Sequence, residues 1–388
     1  MISFDNTEIA FKYKSSQELK KAKVLFKTIA SPTFVKMGKS LTKFAIKCKL
    51  PISWAIKPTL YRHFVGGESL NECAPTVEML GRYNVKSILD YSVEATEKRE
   101  DMQKTLNEVL KSILFTDKKD NIPFAVFKPT AFASIKTLTQ ATENKNPDAE
   151  TLDNINWFKE TVDKLCKTAF EYNVPILIDA EDSWYQPFLD ELIEEMMQKY
   201  NKERAIVYNT LQMYRKDRLD FLKQGLQKAE QGGYFFGAKF VRGAYMEHER
   251  ERAKEKGYPS PIHETKEDTD NAYNAALEFS IDHIDKIQVF SGSHNEQSNH
   301  LLVELIKKKG LANDDKRIWI SQLYGMSDHI SFNLAAEGYN VTKYTPYGPV
   351  KNILPYLIRR AEENTSIAGQ TGRELSLINK ELKRRKAK

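Results

Sequence analysis

From Val85 onward, short apolar runs alternate with longer amphipathic stretches along the chain. The runs are rich in β-branched and aromatic residues, which is typical of buried strands. Eight such runs occur, at 85–92, 124–131, 175–182, 205–214, 237–245, 286–295, 317–326 and 341–349. Helical periodicity fills the intervals, for example at Trp157–Tyr172 and Arg215–Gln231. Eight strand-then-helix units predict an α/β fold, a (βα)8 barrel of TIM type, with a doubly wound sheet as the alternative.

Residues 1–80 have a different pattern, in which apolar residues recur at helical spacing and lysines fill the gaps. The apolar positions are Phe34, Val35, Met37, Leu41, Phe44, Ala45 and Ile46. The sequence therefore predicts an N-terminal helical segment at 1–80, followed by a barrel domain at 81–388. We expect the apolar face to pack on the barrel; the alternative is a helix that lies on a membrane surface.

The bulk composition is that of an ordinary globular protein, with 41% hydrophobic and 29% charged residues. The net charge is +6, but aromatic residues do not interleave with a basic stripe, so no nucleic-acid partner is predicted. Much of the basic surplus lies in Lys380–Lys388. We expect a solvated, frayed terminus there, and the alternative is a weak contact with anionic lipid.

The three cysteines, Cys48, Cys73 and Cys166, are widely spaced and odd in number. Neither a disulfide framework nor a zinc site is expected, and a reducing compartment fits best. The first residues include Asp5 and Glu8 before any apolar run, which is not typical of a secretory or transit peptide. No apolar run is long enough to predict a membrane span, and the predicted location is cytoplasmic.

Polar residues lie at or near the C-terminal end of each predicted strand. They are Asp90, Lys128, Asp179, Gln212, Arg242, His294, Gln322 and Tyr344. Because the C-terminal face of such a barrel builds the active site, this register predicts an enzyme.

Several common site motifs are absent. Met37–Ser40 reads MGKS, but Thr33 stands where a phosphate-binding loop needs its first glycine, and no strand precedes it. Dinucleotide-binding, serine-hydrolase and zinc-protease motifs are also missing from the sequence. His294 and His300 supply no convincing set of ligands, so no metal site is predicted.

The chain resembles the proline dehydrogenase family, and most of all its monofunctional, mitochondrial-type branch. The motifs that carry the resemblance, in the order of the family, are ILIDAED, NTLQMYRKD, KFVRGAYMEHERERA, SGSHNEQ and YTPYGPVKNILPYLIRRAEENTS. The resemblance implies a distorted (βα)8 barrel that holds FAD non-covalently and oxidises L-proline to Δ1-pyrroline-5-carboxylate. It also implies that the electrons pass to a membrane quinone, and therefore peripheral contact with the inner face of a membrane.

Two adjacent arginines, Arg359 and Arg360, stand in a helical pattern, where neighbouring side chains point about 100° apart. Planar guanidiniums suit carboxylates, and Glu363 is spaced to hold one arginine in its rotamer. The resemblance implies that both arginines bind the proline carboxylate together with Lys128. The alternative is a surface ladder of ion pairs with Glu362 and Glu363.

The resemblance also places Asp179 in the substrate pocket and Tyr344 against the proline ring. The alternative for Asp179 is a helix N-cap before Ser183. A tyrosine at that place leaves no space for a hydroxyl group on the ring, so proline is the expected substrate. Hydroxyproline dehydrogenase is the alternative activity.

For the flavin, the resemblance implies that Gln212 meets the edge of the isoalloxazine and that Lys239 lies near N5, where an arginine is common. The segment that follows the cofactor is Val241, Gly243, Ala244 and Tyr245; the pyrophosphate side is Arg242, Thr265, Lys266 and Thr269; the adenosine end is His294 and Asn295. The alternative for each is an ordinary loop residue.

Two further interpretations come from other classes. One is a barrel aldolase in which Lys128 forms a Schiff base, and the other is a flavin-free barrel that only binds a ligand. A yellow protein whose flavin absorbance bleaches with substrate would exclude both.

Overall fold

The computed structural model describes residues 2–31, 33, 35–37, 56–92, 97–143, 146–366 and 370–387, without the side chains of 362–366, 370 and 371. Most of the predicted N-terminal apolar face, from Phe34 to Ile46, lies outside the described residues. Val35 and Met37 are described, and the Met37 side chain is exposed rather than packed. Cys48 and the side chain of Glu363 also lie outside the description.

Each of the eight apolar runs overlaps a strand. The strands are β1 Val85–Tyr91, β2 Ala125–Phe127, β3 Ile176–Ile178, β4 Val207–Gln212, β5 Phe236–Val241, β6 Ile287–Gly292, β7 Ile318–Leu323 and β8 Val341–Tyr347. All recorded strand pairings are parallel. Parallel strands that alternate with helices make this a TIM-type (βα)8 fold, as predicted.

Helices fill the predicted intervals. They are α1 Thr7–Ala10, α2 Ser16–Ile29, α3 Arg62–Phe64, α4 Leu70–Gly81, α5 Arg99–Thr116, α6 Ile135–Glu143, α7 Ala149–Glu171, α8 Gln186–Tyr200, α9 Arg218–Gly232, α10 Met246–Lys256, α11 Lys266–Asp282, α12 Glu296–Lys308, α13 Asp328–Ala336, α14 Val350–Ser366 and α15 Gln370–Lys386. None of those described is long and apolar enough for a membrane span. Local signals set the starts: the Ser15 hydroxyl accepts from Glu18 N, for example, which begins α2 with a capping box.

Two compact units divide the chain. The continuous unit is Ala95–Ser321, and the terminal unit joins Met1–Glu94 to Gln322–Lys388. The predicted domain boundary after residue 80 stays a prediction, since the two units follow a different division in which both chain ends belong together.

In the continuous unit, β2 to β6 lie side by side in chain order, and β6 pairs with the first residues of β7. Phe124 packs edge-on against three rings, Tyr208, Phe290 and Trp319, with centroid distances of 5.5, 5.2 and 5.4 Å. Such contacts between apolar rings fill the space that parallel strands enclose.

In the terminal unit, β1 pairs with β8, and α2 packs on α15. The buried face of α2, Leu19, Ala22, Phe26 and Ile29, shares one apolar cluster with Leu377 and Ile378 of α15. Helical spacing of apolar residues on both elements explains the contact.

The prediction of a frayed basic terminus is wrong as far as Lys386, because α15 is helical to that residue. Glu381, within the basic run, is fully buried. It accepts hydrogen bonds from Arg385 at 2.7 Å and from the Thr7 hydroxyl at 2.9 Å. One buried carboxylate thus anchors this basic helix to the first helix of the chain.

Candidate active site

In the continuous unit, four predicted site residues lie where strands end. Lys128 follows β2, Asp179 follows β3, Gln212 is the last residue of β4 and Arg242 follows β5. Because neighbouring parallel strands end at the same edge, these polar groups share one face of this unit. The alternative for Asp179 is wrong, because α8 begins at Gln186 with Tyr185 as its N-cap.

Two of these side chains, Lys128 and Asp179, form what we call the open charge cluster together with Lys239 of β5. Lys239 Nζ donates to Asp179 Oδ1, and Lys128 Nζ lies 3.8 Å from Asp179 Oδ2. The exposed fractions of the side chains are 25% for Lys128, 15% for Asp179 and 6% for Lys239. Two cations and one anion leave a net positive charge that water or a ligand can reach. The cluster is therefore suited to an anionic group.

Gln212 offers a buried polar atom beside this cluster's strands. Its side chain is buried at the end of β4, and Oε1 has no hydrogen-bond partner. A buried amide oxygen without a partner is costly unless a donor arrives. Gln212 Oε1 can accept a hydrogen bond and the Lys239 ammonium group can donate one. The two side chains therefore fit a cofactor that carries both amide and carbonyl groups.

Gly243 must be glycine because of its own backbone and packing, and its role along a cofactor stays a prediction. Its φ is +126°, and a Cβ there would lie 2.6 Å from the ring of Tyr214. Packing against Tyr214 and the backbone conformation already require glycine. The neighbouring Ala244 is exposed, and the roles of Val241 and Tyr245 along a cofactor stay predictions.

Arg242 is engaged by partners within the continuous unit. Its guanidinium donates to Asp270 at 2.6 Å, to the Ser293 hydroxyl at 2.7 Å and to the Ser298 hydroxyl at 2.9 Å. Lys266 also binds Asp270, at 2.6 Å. Burial alone would raise the pKa of Asp270, but these two cations hold it below its ordinary value. A phosphate here would have to share Arg242 with Asp270.

The other residues assigned to the flavin phosphate and adenosine lie at two helix starts. Thr265 caps α11 in a capping box with Asp268, and Thr269 is buried one turn later. Asn295 caps α12 by accepting from Ser298 N at 3.0 Å, with His294 just before it. Helix starts attract anions, which is compatible with the prediction and does not test it.

Two carboxylates that were not predicted from the sequence cross-link the loops. Glu181 Oε1 accepts from the Thr130 hydroxyl at 2.7 Å, and Oε2 accepts from Thr130 N at 3.0 Å. Glu249 of α10 binds Ser183 in the same way, with both distances 2.6 Å. We call these two arrangements carboxylate clamps. A signal existed, because Glu181 belongs to the motif that supplied Asp179.

In the terminal unit, Tyr344 is buried within β8, which continues to Tyr347. Its carbonyl oxygen accepts from Tyr324 N at 2.9 Å. Arg360 is buried on α14 with its guanidinium 5.1 Å from the centre of the Tyr356 ring, which does not fit a surface ladder. Arg359 is half-buried, and the supporting role of Glu363 stays a prediction.

A family model described as proline dehydrogenase matches residues 73–373. Proline dehydrogenase 2, mitochondrial, of Arabidopsis thaliana is 32% identical over 373 residues, covering 85% of this chain and 78% of that protein. Proline dehydrogenase 1, mitochondrial, of Homo sapiens is 42% identical over 229 residues, covering 58% of this chain but 38% of that protein. The chain thus spans less than half the length of the human relative.

The carbapenem antibiotics biosynthesis protein CarD of Pectobacterium carotovorum subsp. carotovorum is 33% identical over 364 residues, which cover 93% of this chain and 94% of that protein. Among solved structures, proline utilization A (PutA) from Bdellovibrio bacteriovorus has a TM-score of 0.73 at 20% identity. That match covers 94% of this chain and 38% of the PutA chain. At this identity the likeness concerns the fold alone.

Proposed function

Because this chain belongs to the proline dehydrogenase family, we propose that it oxidises L-proline to Δ1-pyrroline-5-carboxylate in proline catabolism. The observation that carries the proposal is the open charge cluster at the strand ends of the continuous unit. Its accessible positive charge suits a small carboxylate substrate. The reaction needs a substrate held in a fixed position beside an electron acceptor, in a site from which water is excluded. It does not need a covalent nucleophile.

Within the continuous unit, Lys128 is the proposed ligand of the substrate carboxylate. Asp179 lies between Lys128 and Lys239, so it fixes two ammonium groups with one carboxylate. Proline must lose its amine proton before hydride leaves, because only the neutral nitrogen has a lone pair to stabilise the product. The roles of Arg359 and Arg360 as carboxylate ligands and of Tyr344 against the ring belong to the same proposal.

The proposed cofactor is FAD. Gln212 and Lys239 would hold its ring system, and the segment from Val241 to Tyr245 would follow it. FAD, when bound, supplies a two-electron acceptor for the hydride. The unpartnered Gln212 Oε1 and the buried cation of Lys239 support this assignment. The proposed final electron acceptor is a membrane quinone. The proposal therefore includes peripheral contact of the protein with the inner face of a membrane.

The absorption spectrum of the purified full chain tests the proposal. We expect flavin bands that bleach when proline is added without oxygen and return when a soluble quinone follows. Cyclopentanecarboxylate, which has no ring nitrogen, is the control that should bind without bleaching. A folded, colourless protein that takes up no added FAD would overturn the proposal.

A second candidate is hydroxyproline dehydrogenase, which stays open because the place of Tyr344 against the substrate ring is itself a proposal. Rates of flavin bleaching with proline, trans-4-hydroxy-L-proline and ring-substituted prolines separate the candidates. Proline is the substrate if its kcat/KM exceeds the others at equal flavin content.

A further inference from the structure

Glu181 holds one residue at two points. Its carboxylate accepts from both the backbone N–H and the hydroxyl of Thr130, and its side chain is buried. Thr130 lies in the 3₁₀ turn Pro129–Ala131, for which Lys128 is the N-cap residue. The clamp therefore ties the loop after β3 to the turn that begins at Lys128.

A lysine side chain has a flexible four-carbon stem, so its ammonium group can be placed accurately only if the backbone of the residue is fixed. We propose that Glu181 is a positioning residue that fixes the backbone at Lys128, so that the Lys128 ammonium group reaches both Asp179 and the carboxylate of the substrate. The inference rests on the proposed function, in which Lys128 binds that carboxylate. Glu181 itself touches neither substrate nor cofactor in this proposal.

The surroundings of Glu181 give the clamp a pH dependence. Burial raises the pKa of Glu181 to about 7, although hydrogen bonds from Thr130 and the charge of Lys128 act against the rise. Asp182 of the same loop raises this pKa further, and the nearby Tyr185 is kept neutral by burial and by Glu181. Asp179 is a further charge beside Lys128. Glu181 thus changes charge near neutrality.

Two effects of this titration have opposite signs. Above about pH 7 the carboxylate accepts both Thr130 donors, whereas the protonated acid has fewer acceptor sites, so positioning strengthens ligand binding as pH rises. A charge that acted only through space would repel an anionic ligand, and binding would then weaken as pH rises. The direction of the change separates positioning from simple electrostatics.

The test uses cyclopentanecarboxylate, because it carries the carboxylate and the ring but no amine that titrates. Its Kd is measured by calorimetry with the full chain at matched flavin content, from about pH 6 to pH 8.5, where ordinary carboxylates stay ionised. We expect the wild type to bind more tightly as pH rises through about 7. Glu181→Gln should lose this inflection and bind about tenfold more weakly at pH 8, because one Thr130 donor loses its acceptor.

Matched variants isolate the clamp. Thr130→Ser keeps both donors and should behave as the wild type. Thr130→Val removes the hydroxyl donor and should move the inflection to higher pH, since the carboxylate loses one stabilising bond. Glu249→Gln changes the other carboxylate clamp, on Ser183, and should keep the inflection whatever it does to thermal stability.

Tighter binding in Glu181→Gln, or a Kd that keeps its wild-type pH profile in this variant, would overturn the inference. If Glu181→Gln does not fold, the Thr130→Val and Thr130→Ser pair decides, and identical profiles in the two overturn it. A wild type that does not bind the probe would also overturn it. Bleaching by proline is measured separately, and its absence overturns the proposed function instead.

Discussion

Each compact unit contains an aspartate between two lysines, and the two groups differ in their access to water. In the open charge cluster, 25% of the Lys128 side chain and 15% of the Asp179 side chain are exposed. The Lys128–Asp179 contact is long, at 3.8 Å. A ligand can therefore approach the cluster and compete for its charge.

The second group, the closed charge cluster, consists of Lys14, Asp328 and Lys343. Lys14 Nζ lies 2.7 Å and Lys343 Nζ 2.9 Å from the carboxylate of Asp328. The exposed fractions are 14%, 3% and 0%. Tyr13 adds a hydrogen bond to Asp328 at 2.7 Å. These charged groups pair with one another inside the protein.

The difference shows that composition does not separate a structural ion cluster from a candidate site. Enclosed charges can only affect folding, because desolvation and pairing are completed when the chain folds. Partly accessible charges keep an interaction available for a ligand. Fractional exposure and contact length, rather than residue type, distinguish the two clusters.

The largest expected effect is on stability, in the closed charge cluster. Asp328→Asn leaves Lys343 charged and fully enclosed, and should lower the free energy of unfolding by about 3–5 kcal/mol. Urea denaturation measures it. Asp179→Asn is the matched comparison and should cost less, because Lys128 is 25% exposed and can recruit water, although Lys239 stays buried. Equal losses in the two variants would remove the distinction drawn here.

Acid should separate the clusters in the same direction. Burial would raise the pKa of Asp328, but Lys14, Lys343 and Tyr13 hold it far below its ordinary value. A lowered folded-state pKa gives stability that is present above about pH 4 and is lost as pH falls below it. The wild type should therefore lose about 2 kcal/mol more than Asp328→Asn between about pH 4 and pH 2. Parallel acid titrations of unfolding would contradict this.

A third group of charges, the pair Arg359 and Arg360, tests whether burial can accompany a binding role. Arg359→Lys keeps the charge but loses the fork geometry, and should lower kcat/KM by about ten- to a hundredfold at unchanged flavin content. Arg359→Met and Arg360→Met extend the series. If both methionine variants keep near-wild-type kcat/KM, the two arginines are structural like the closed charge cluster.

The smallest effect is expected in β8, where neighbouring residues point to opposite faces. Lys343 belongs to the closed charge cluster, whereas Tyr344 is predicted to exclude a ring hydroxyl. Tyr344→Ser should change the preference for proline over trans-4-hydroxy-L-proline by about tenfold. The kcat/KM values for both substrates measure it, with unfolding as the control for a packing role. A wild type that uses both equally would refute steric exclusion.

The fold could be predicted from the sequence because each strand coincides with one apolar run, with only Phe236 of β5 outside its run. The predicted runs are too long, as at 175–182 against Ile176–Ile178, since the polar residues that follow belong to loops. Apolar periodicity indicates which residues are buried, and it does not indicate where the hydrogen-bonded pairing between strands ends. The TIM-type fold survives this error because strand order and alternation decide it.

The site could be predicted only one residue at a time. Asp179, Lys128 and Lys239 were each expected, but nothing in their spacing shows that the aspartate lies between both lysines. Glu181 was missed because a run of acids after a strand does not reveal which one turns inward. Lys14 and Asp328 are 314 positions apart, and no local pattern connects them.

The hydrogen bond between Thr7 and Glu381 spans 374 positions, and it has a consequence for synthesis. A ribosome releases the chain from its first residue onward, so α1 and α2 emerge long before their partner helix exists. The continuous unit has all of its own sequence available by residue 321 and can fold first. The apolar face of α2 then stays without α15 until Gln370–Lys386 has been synthesised. During this interval the apolar face of α2 is a surface that a chaperone would bind.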